Sequence, residues 1–279
     1  MIYFRKLVLV PALTLGLAGV GSADSIDGEP PTCAELATQI GNIKNGLLQQ
    51  FLLPVYGGIF TPKKIWWAVV DRKGVLCIVE KLDGRDAWPS SRAIAIAKAS
   101  TANGFSNESL ALSTANLYAA TQPGGLLYGL NNSNTFHPDY LAQLNIEQSG
   151  GPSRQRTGIG EVPGGIVTFG GGVALYEAGR VIGGLGVSGD TPCAEHKLAY
   201  ETRKLAGLGG IPTPVGAGLP RTDDIRYPRG DNRPSGFEHP RCRSVRVQGK
   251  PGDHDTDGKD GKDGKDGKDD RDGKDGKDD

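Results

Sequence analysis

A glycine-broken apolar run, from Gly164 to Asp190, constrains this chain more than any other stretch. It carries Ile166-Val167-Thr168-Phe169, then Val173-Ala174-Leu175-Tyr176, then Val181-Ile182 on to Val187, with Gly170, Gly171, Gly172, Gly183, Gly184 and Gly186 between them. Branched and aromatic residues alternating with glycine fit a sheet buried on at least part of each face. The pattern predicts a hairpin. Strand one spans Ile166–Tyr176, the turn falls near Glu177–Arg180, and strand two spans Val181–Val187. The glycines mark bulges, or places where another backbone or a flat ligand comes close. Gly184-x-Gly186-x-x-Gly189 has the letters of a dinucleotide loop but not its setting. Its first two glycines sit inside a hairpin strand rather than after the first strand of a βαβ unit.

What precedes the hairpin divides cleanly. Arg5-Lys6, the apolar run Leu7–Val20 and the small residues Gly21-Ser22-Ala23 read as a signal peptide over residues 1–23. Pro11 interrupts that run, which is short for a spanning helix. A periplasmic or secreted chain with no membrane span after cleavage is therefore expected. Thr32-x-x-Glu35 is a capping box, and Leu36, Ile40, Ile43, Leu47 and Phe51 recur at helical spacing up to Pro54. Ile65–Asp71 and Val75–Leu82 predict a second hairpin, with Trp66 and Trp67 in the core. Ser90–Asn103 predicts an Ala-rich helix and Ser106–Thr121 another, stopped by Pro123-Gly124-Gly125. Asn131–Pro163 is a polar surface excursion.

After the hairpin, Thr191 caps a helix with Pro192 at its first position. Residues 208–248 are rich in Pro and Gly, with at most one short strand near Asp224–Tyr227, and read as an extension wrapped on the domain. Residues 249–279 repeat Gly-Lys-Asp, with twelve acidic against eight basic residues. Glycine at every third position suggests collagen, but the run is short and lacks the proline, so a disordered tail is expected. Asp253, Asp255 and Asp257 match the start of a calcium loop whose twelfth position is Gly264, where a Glu is required, so calcium is not expected. No basic patch interleaved with aromatics argues for nucleic acid.

Cys33, Cys77, Cys193 and Cys242 all lie in the exported part, where two disulfides are the default. Three pairings are open on sequence alone, with Cys33–Cys77 and Cys193–Cys242 preferred. Cys193-x-x-His196 and His239-x-x-Cys242 mirror one another. On a helix, Cys193, His196 and Tyr200 fall within roughly 60°, so a Cys193–Cys242 bond brings His196 and His239 near each other. Three readings follow: a structural disulfide with incidental histidines, a disulfide beside a paired-His metal or haem-iron site, or a reduced Cys₂His₂ zinc site. No Gly-x-Ser-x-Gly elbow supports a hydrolase.

Several segments together resemble the GlcG/HbpS haem-binding, or haem-degrading domain, family. They are Val69-Val70-Asp71-Arg72-Lys73-Gly74-Val75-Leu76, Asp83-Gly84, Ala93-Ile94-Ala95-Ile96-Ala97-Lys98-Ala99, Gly171-Gly172-Val173-Ala174-Leu175 and Ile182-Gly183-Gly184-Leu185-Gly186-Val187-Ser188-Gly189. An exported branch is similar also at Gly189-Asp190-Thr191-x-Cys193-Ala194-x-His196 and Ser235-Gly236-Phe237-x-His239-Pro240-x-Cys242. The resemblance implies an α+β fold over residues 24–207: a three-layer α/β/α sandwich around an antiparallel sheet of about five strands. It also implies haem or iron as cofactor and assembly into homo-oligomers. Some relatives take iron ligands from His near the first helix, and none stands there in this chain. His196 and His239 are therefore this chain's own candidates. The expected function is an exported haem- or small-ligand-binding protein. The alternatives are an enzyme acting on haem or another small molecule, with Arg92, Lys98, Gly124, Gly125 and Gly171 lining its pocket, and an interaction module using the charged tail.

Overall fold

The computed structural model describes residues 28–51, 57–60, 64–83, 88–133, 136–137, 158–214, 218–228 and 236–242. The predicted signal peptide, most of the 131–163 excursion, and the charged tail with Asp253, Asp255 and Asp257 lie outside them. The chain divides into two units, Met1–Val245, which holds every described residue, and Arg246–Asp279.

Thr32 opens the first helix. Its backbone N–H and its hydroxyl both donate to Glu35 Oε2, at 2.7 and 2.8 Å, and Leu36 N–H bonds Thr32 O at 3.0 Å. Helix α1 runs Ala37–Phe51 and buries Ile43, Leu47 and Phe51. Strands β1 (Trp66–Asp71) and β2 (Leu76–Lys81) follow, then α2 (Ser91–Phe105), the single turn α3 (Tyr118–Thr121) and a 3₁₀ turn at Leu130–Ser133. Strands β3 (Gly172–Glu177) and β4 (Arg180–Ser188) form the glycine-rich hairpin, and α4 (Pro192–Leu205) is the last regular element among the described residues. The hairpin turns on Ala178 at φ 47° and Gly179 at φ 78°, the left-handed pair that suits a two-residue connection.

The sheet has the order β2-β1-β4-β3, and each neighbouring pair is antiparallel. Alternation on β1 sorts its side chains between two layers. Trp67 and Val69 join Leu185 and Val187 of β4 against Ile43 and Leu47 of α1 and Leu198 of α4. Trp66, Ala68 and Val70 turn the other way, against Ala95, Ile96 and Ala99 of α2. Each such large apolar side chain, once buried, contributes about 1.5–3 kcal/mol. On the α2 side, β4 presents glycine. A Cβ at Gly186 would lie 1.9 Å from Ala95 O, and one at Gly184 would lie 2.2 Å from Ala99 O. The close approach is thus helix on sheet, through alanine on one side and glycine on the other.

The three-layer α+β sandwich is as expected, with four strands among the described residues rather than about five. The predicted strand over Ile166–Tyr176 begins only at Gly172. Before it, Val167 N–H donates to Thr101 Oγ1 at 2.9 Å, and Thr168 Oγ1 bonds Thr121 Oγ1 and Asn131 Oδ1 at 2.8 and 3.0 Å. At Val167 a side-chain hydroxyl takes the N–H that a neighbouring strand would accept. The helix predicted over Ser106–Thr121 shrinks to its last turn for the same reason. Ser106 Oγ receives Leu112 N–H, Asn107 Oδ1 receives Ser109 and Leu110 N–H, and Asn116 Oδ1 receives Ser113 N–H. Asp224–Tyr227 forms no strand. No helix among the described residues is long and apolar enough to cross a membrane.

Candidate functional site

The site forms where α4 begins, over the Gly170–Gly171 entry to β3. Thr191 caps α4 by accepting Ala194 N–H at 3.4 Å, with Pro192 in the first turn. This aims Cys193, Glu195 and His196 back toward the end of β4. Two disulfides hold the frame, Cys33–Cys77 and Cys193–Cys242. The second ties α4 to the 236–242 segment and its His239.

The two histidines come together around consecutive backbone amides. Gly171 N–H donates to His196 Nδ1 at 3.4 Å, and Gly170 N–H donates to His239 Nε2 at 3.3 Å. His239 Nδ1 stands 2.8 Å from Pro240 O, so Nδ1 carries the proton and Nε2 accepts. The rings are sealed: His196 is 0% and His239 2% exposed. Tyr200 stacks on His196 at 6.3 Å and Tyr118 tilts against His239 at 4.9 Å between ring centroids. The glycines permit this seating. A Cβ at Gly170 would meet Pro192 O at 2.3 Å and His196 Cβ at 2.9 Å, and Gly171 adopts φ 124°. Burial above all, then the Arg203 guanidinium, with smaller contributions from the neighbouring His239 ring and Lys98, holds His196 down at about 3. Burial and Lys98 also lower His239, against the pull of the Pro240 carbonyl. Both rings are neutral at pH 7.

Two buried ion pairs flank them. Lys98 of α2 reaches Glu195 of α4, donates to Val187 O at 3.3 Å, and sits 4.4 Å from the Phe169 ring centroid. Glu195 Oε1 in turn accepts Gly189 and Asp190 N–H, at 2.6 and 3.0 Å. Burial pulls the Lys98 ammonium down and Glu195 pulls it back up. Arg203 pairs with Asp223 of the extension. The next residue, Asp224, places Oδ1 3.7 Å from His196 Nε2.

Of the predicted site residues, His196, His239, Lys98 and Gly171 converge. A Cβ at Gly171 would lie 2.7 Å from Lys98 Nζ. Gly124 and Gly125 instead shape the turn after α3, where Gly125 N–H bonds Gln122 O at 2.8 Å. Arg92 lies in the first turn of α2. Sequence reasoning missed Glu195, Phe169, Arg203, Asp223 and Asp224. Arg203 was findable, because it follows His196 by seven residues and so continues the Cys193–His196–Tyr200 face of the helix.

The family model described as "Haem degrading protein HbpS-like" matches residues 61–204. The chain belongs to the HbpS-like family. The matched span runs from the approach to β1 almost to the end of α4, so the HbpS-like domain holds Lys98, Gly170, Gly171 and His196, while His239 stands outside it. A search of the curated proteins finds no match. Among solved structures, the chain is similar to the Klebsiella pneumoniae protein ORFY, at 23% identity and TM-score 0.41, over 66% of this chain and 95% of that one. It is similar to PduOC, solved as a haem complex, at 22% and 0.40, over 63% and 95%. It is also similar to a double mutant of Streptomyces reticuli HbpS, at 15% and 0.36, over 72% and 98%.

The donor set around the histidines does not match haem-iron ligation as it stands. Both nitrogens of His239 are engaged. His196 Nδ1 accepts from Gly171, which puts the proton on Nε2, a buried atom that faces the Asp223 backbone and stands 3.7 Å from Asp224 Oδ1. Neither ring therefore offers iron a free nitrogen lone pair. A zinc site fares no better in the oxidised chain. Cys193, His239 and Cys242 place their ligand atoms within 4.8 Å of one another, but the disulfide removes both thiolates.

Proposed function

We propose that this chain is an exported binding protein for haem or a haem-like small ligand. Membership of the HbpS-like family carries the reading. Two disulfides support export, since such bonds persist in oxidising compartments. A binding role is favoured over catalysis by the state of the buried polar cluster. Lys98 pairs with Glu195, Arg203 pairs with Asp223, and both histidines are neutral and hydrogen-bonded. A general acid or base needs a group left poised for the substrate, and these groups face one another.

Titration of the full mature chain with haem, followed by absorbance, tests the proposal. The expected result is a saturable Soret shift at one equivalent. Absence of any shift overturns the reading. A shift that survives in the His196→Ala, His239→Ala double variant puts the iron contact elsewhere on the molecule, as the engaged nitrogens imply. Biliverdin or released iron under a reductant would move the assignment to the enzyme.

A further inference from the structure

The two disulfides sit in chemically opposite surroundings. Each has one cysteine near the start of a helix, Cys33 in the turn that leads from Thr32 into α1 and Cys193 just after Pro192 in α4, so the helix field alone does not account for the contrast. Their immediate neighbours do. Cys193 N–H donates to Cys242 Sγ at 3.2 Å, and Cys242 N–H donates to Cys193 Sγ at 3.1 Å. A nitrogen of His239 lies within 4.8 Å of both sulfurs. One carbonyl, Pro240 O, stands 3.8 Å from Cys193 Sγ. Around Cys33–Cys77 the neighbours are oxygens. Asp71 Oδ2 is 3.8 Å and Val75 O 3.5 Å from Cys33 Sγ, and Val75 O is 3.6 Å from Cys77 Sγ. The Asp71 carboxylate lies within 4.8 Å of both of those sulfurs.

Reduction produces thiolates, so this contrast has a direction. Donated N–H bonds stabilise a thiolate, while a carboxylate and a carbonyl destabilise it. Exposure alone would favour opening Cys33–Cys77, both of whose cysteines are partly exposed, so it is the contrast in neighbours that sets the order. Within the second bond exposure does choose an end. Cys193 is 2% exposed and Cys242 is partly open.

We propose that Cys193–Cys242 is a thiol-exchange site, opened by a dithiol reductant that bonds first to Cys242, while Cys33–Cys77 stays closed. The external thiolate attacks Cys242 Sγ. The Cys193–Cys242 bond breaks, and its electron pair leaves on Cys193 as a thiolate held by Cys242 N–H. The second thiol of the reductant, deprotonated, then attacks the mixed disulfide and expels the Cys242 thiolate. The chain gains two electrons and the reductant leaves as its own disulfide. Opening removes the covalent tie between α4 and the segment carrying His239. That segment keeps the His239 to Gly170 bond and the bond from His239 N–H to Arg226 O, at 3.3 and 2.7 Å. The site is independent of haem binding and is tested without haem.

The experiment equilibrates the full mature chain with dithiothreitol over a range of reduced-to-oxidised ratios, quenches in acid, alkylates, and reads each cysteine by peptide mass. The Cys193–Cys242 pair is expected to be half reduced at a ratio at least tenfold lower than Cys33–Cys77, a gap of about 30 mV. Coincident or reversed midpoints overturn the proposal. A second measurement uses limiting glutathione, with the adducts mapped after trapping. Glutathione on Cys242 supports the stated order of attack, and glutathione on Cys193 overturns it.

Discussion

Arg203 grips Asp223 with two guanidinium nitrogens, Nη1 to Oδ2 at 2.5 Å and Nη2 to Oδ1 at 2.7 Å, and neither side chain is more than 1% exposed. The same Nη1 donates to Ala174 O at 3.0 Å. One side chain thus joins helix, sheet and C-terminal extension. Asp223→Ala strands a buried guanidinium and should cost about 3–5 kcal/mol. Asp223→Asn, which keeps an acceptor, should cost less. Urea unfolding measures both, and a loss below about 1 kcal/mol for the alanine variant would show the pair to be dispensable.

Lys98 and Glu195 should behave as a coupled unit. Lys98→Met leaves Glu195 charged and buried, with only the Gly189 and Asp190 amides for partners. The double change Lys98→Met, Glu195→Gln removes both charges. A double-mutant cycle should return a coupling of about 1–3 kcal/mol. Additive effects would mean that each group is held by its backbone contacts alone.

Gly186→Ala tests the helix-on-sheet contact. Its Cβ would be driven against Ala95 O, a backbone atom that cannot rotate away. Destabilisation of at least about 1–3 kcal/mol is expected. Gly210→Ala has nothing within 4 Å to meet and should stay within about 0.5 kcal/mol of the parent. Equal melting temperatures for the two variants would refute the account of α2 packing.

Acid should loosen the fold through His196. Its folded value, near 3, lies below the ordinary 6.5. The unfolded chain therefore binds the proton first as pH falls. Stability is full above about 6.5 and declines toward about 3, by at most about 1.4 kcal/mol per pH unit for each such ring. His239, also lowered, adds in the same direction. Asp224, raised by burial, works against both just above its ordinary value. Urea midpoints at pH 7 and pH 4.5 should differ more in the parent than in His196→Asn. Identical differences would remove His196 from the pH response.

Much of this arrangement was legible because short-range chemistry set it. Thr32 and Glu35 announced α1, Thr191 and Pro192 announced α4, and the β3–β4 turn fell where the apolar run paused. The preferred cysteine pairs are the ones formed. The errors share one physical source. Ser106, Asn107, Ser113 and Asn116 lie in a stretch that periodicity reads as helix, but their side chains bond nearby backbone and offer it another conformation. Ile166–Phe169 has strand composition, yet its partners are Thr101, Thr121 and Asn131. At the site, the histidines were visible as letters. Their partners were not, because two of them are the backbone amides of Gly170 and Gly171 and two more, Asp223 and Asp224, come from an extension without regular structure.

The strand order carries a kinetic meaning. Each hairpin, β1–β2 and β3–β4, closes through a short turn, but the central seam pairs Trp66 with Ser188 and Asp71 with Gly183. Contacts this distant in sequence form late and slow a folding reaction. Two preformed ribbons must therefore find each other, with α2 and the long polar excursion strung between them. The entropy of that search grows only as the logarithm of the tether, about 0.6 kcal/mol for each doubling of a flexible loop. Length can accordingly be added to the polar excursion at little cost, while α2, whose Ala95 and Ala99 face Gly186 and Gly184 of β4, tolerates almost no change at that contact.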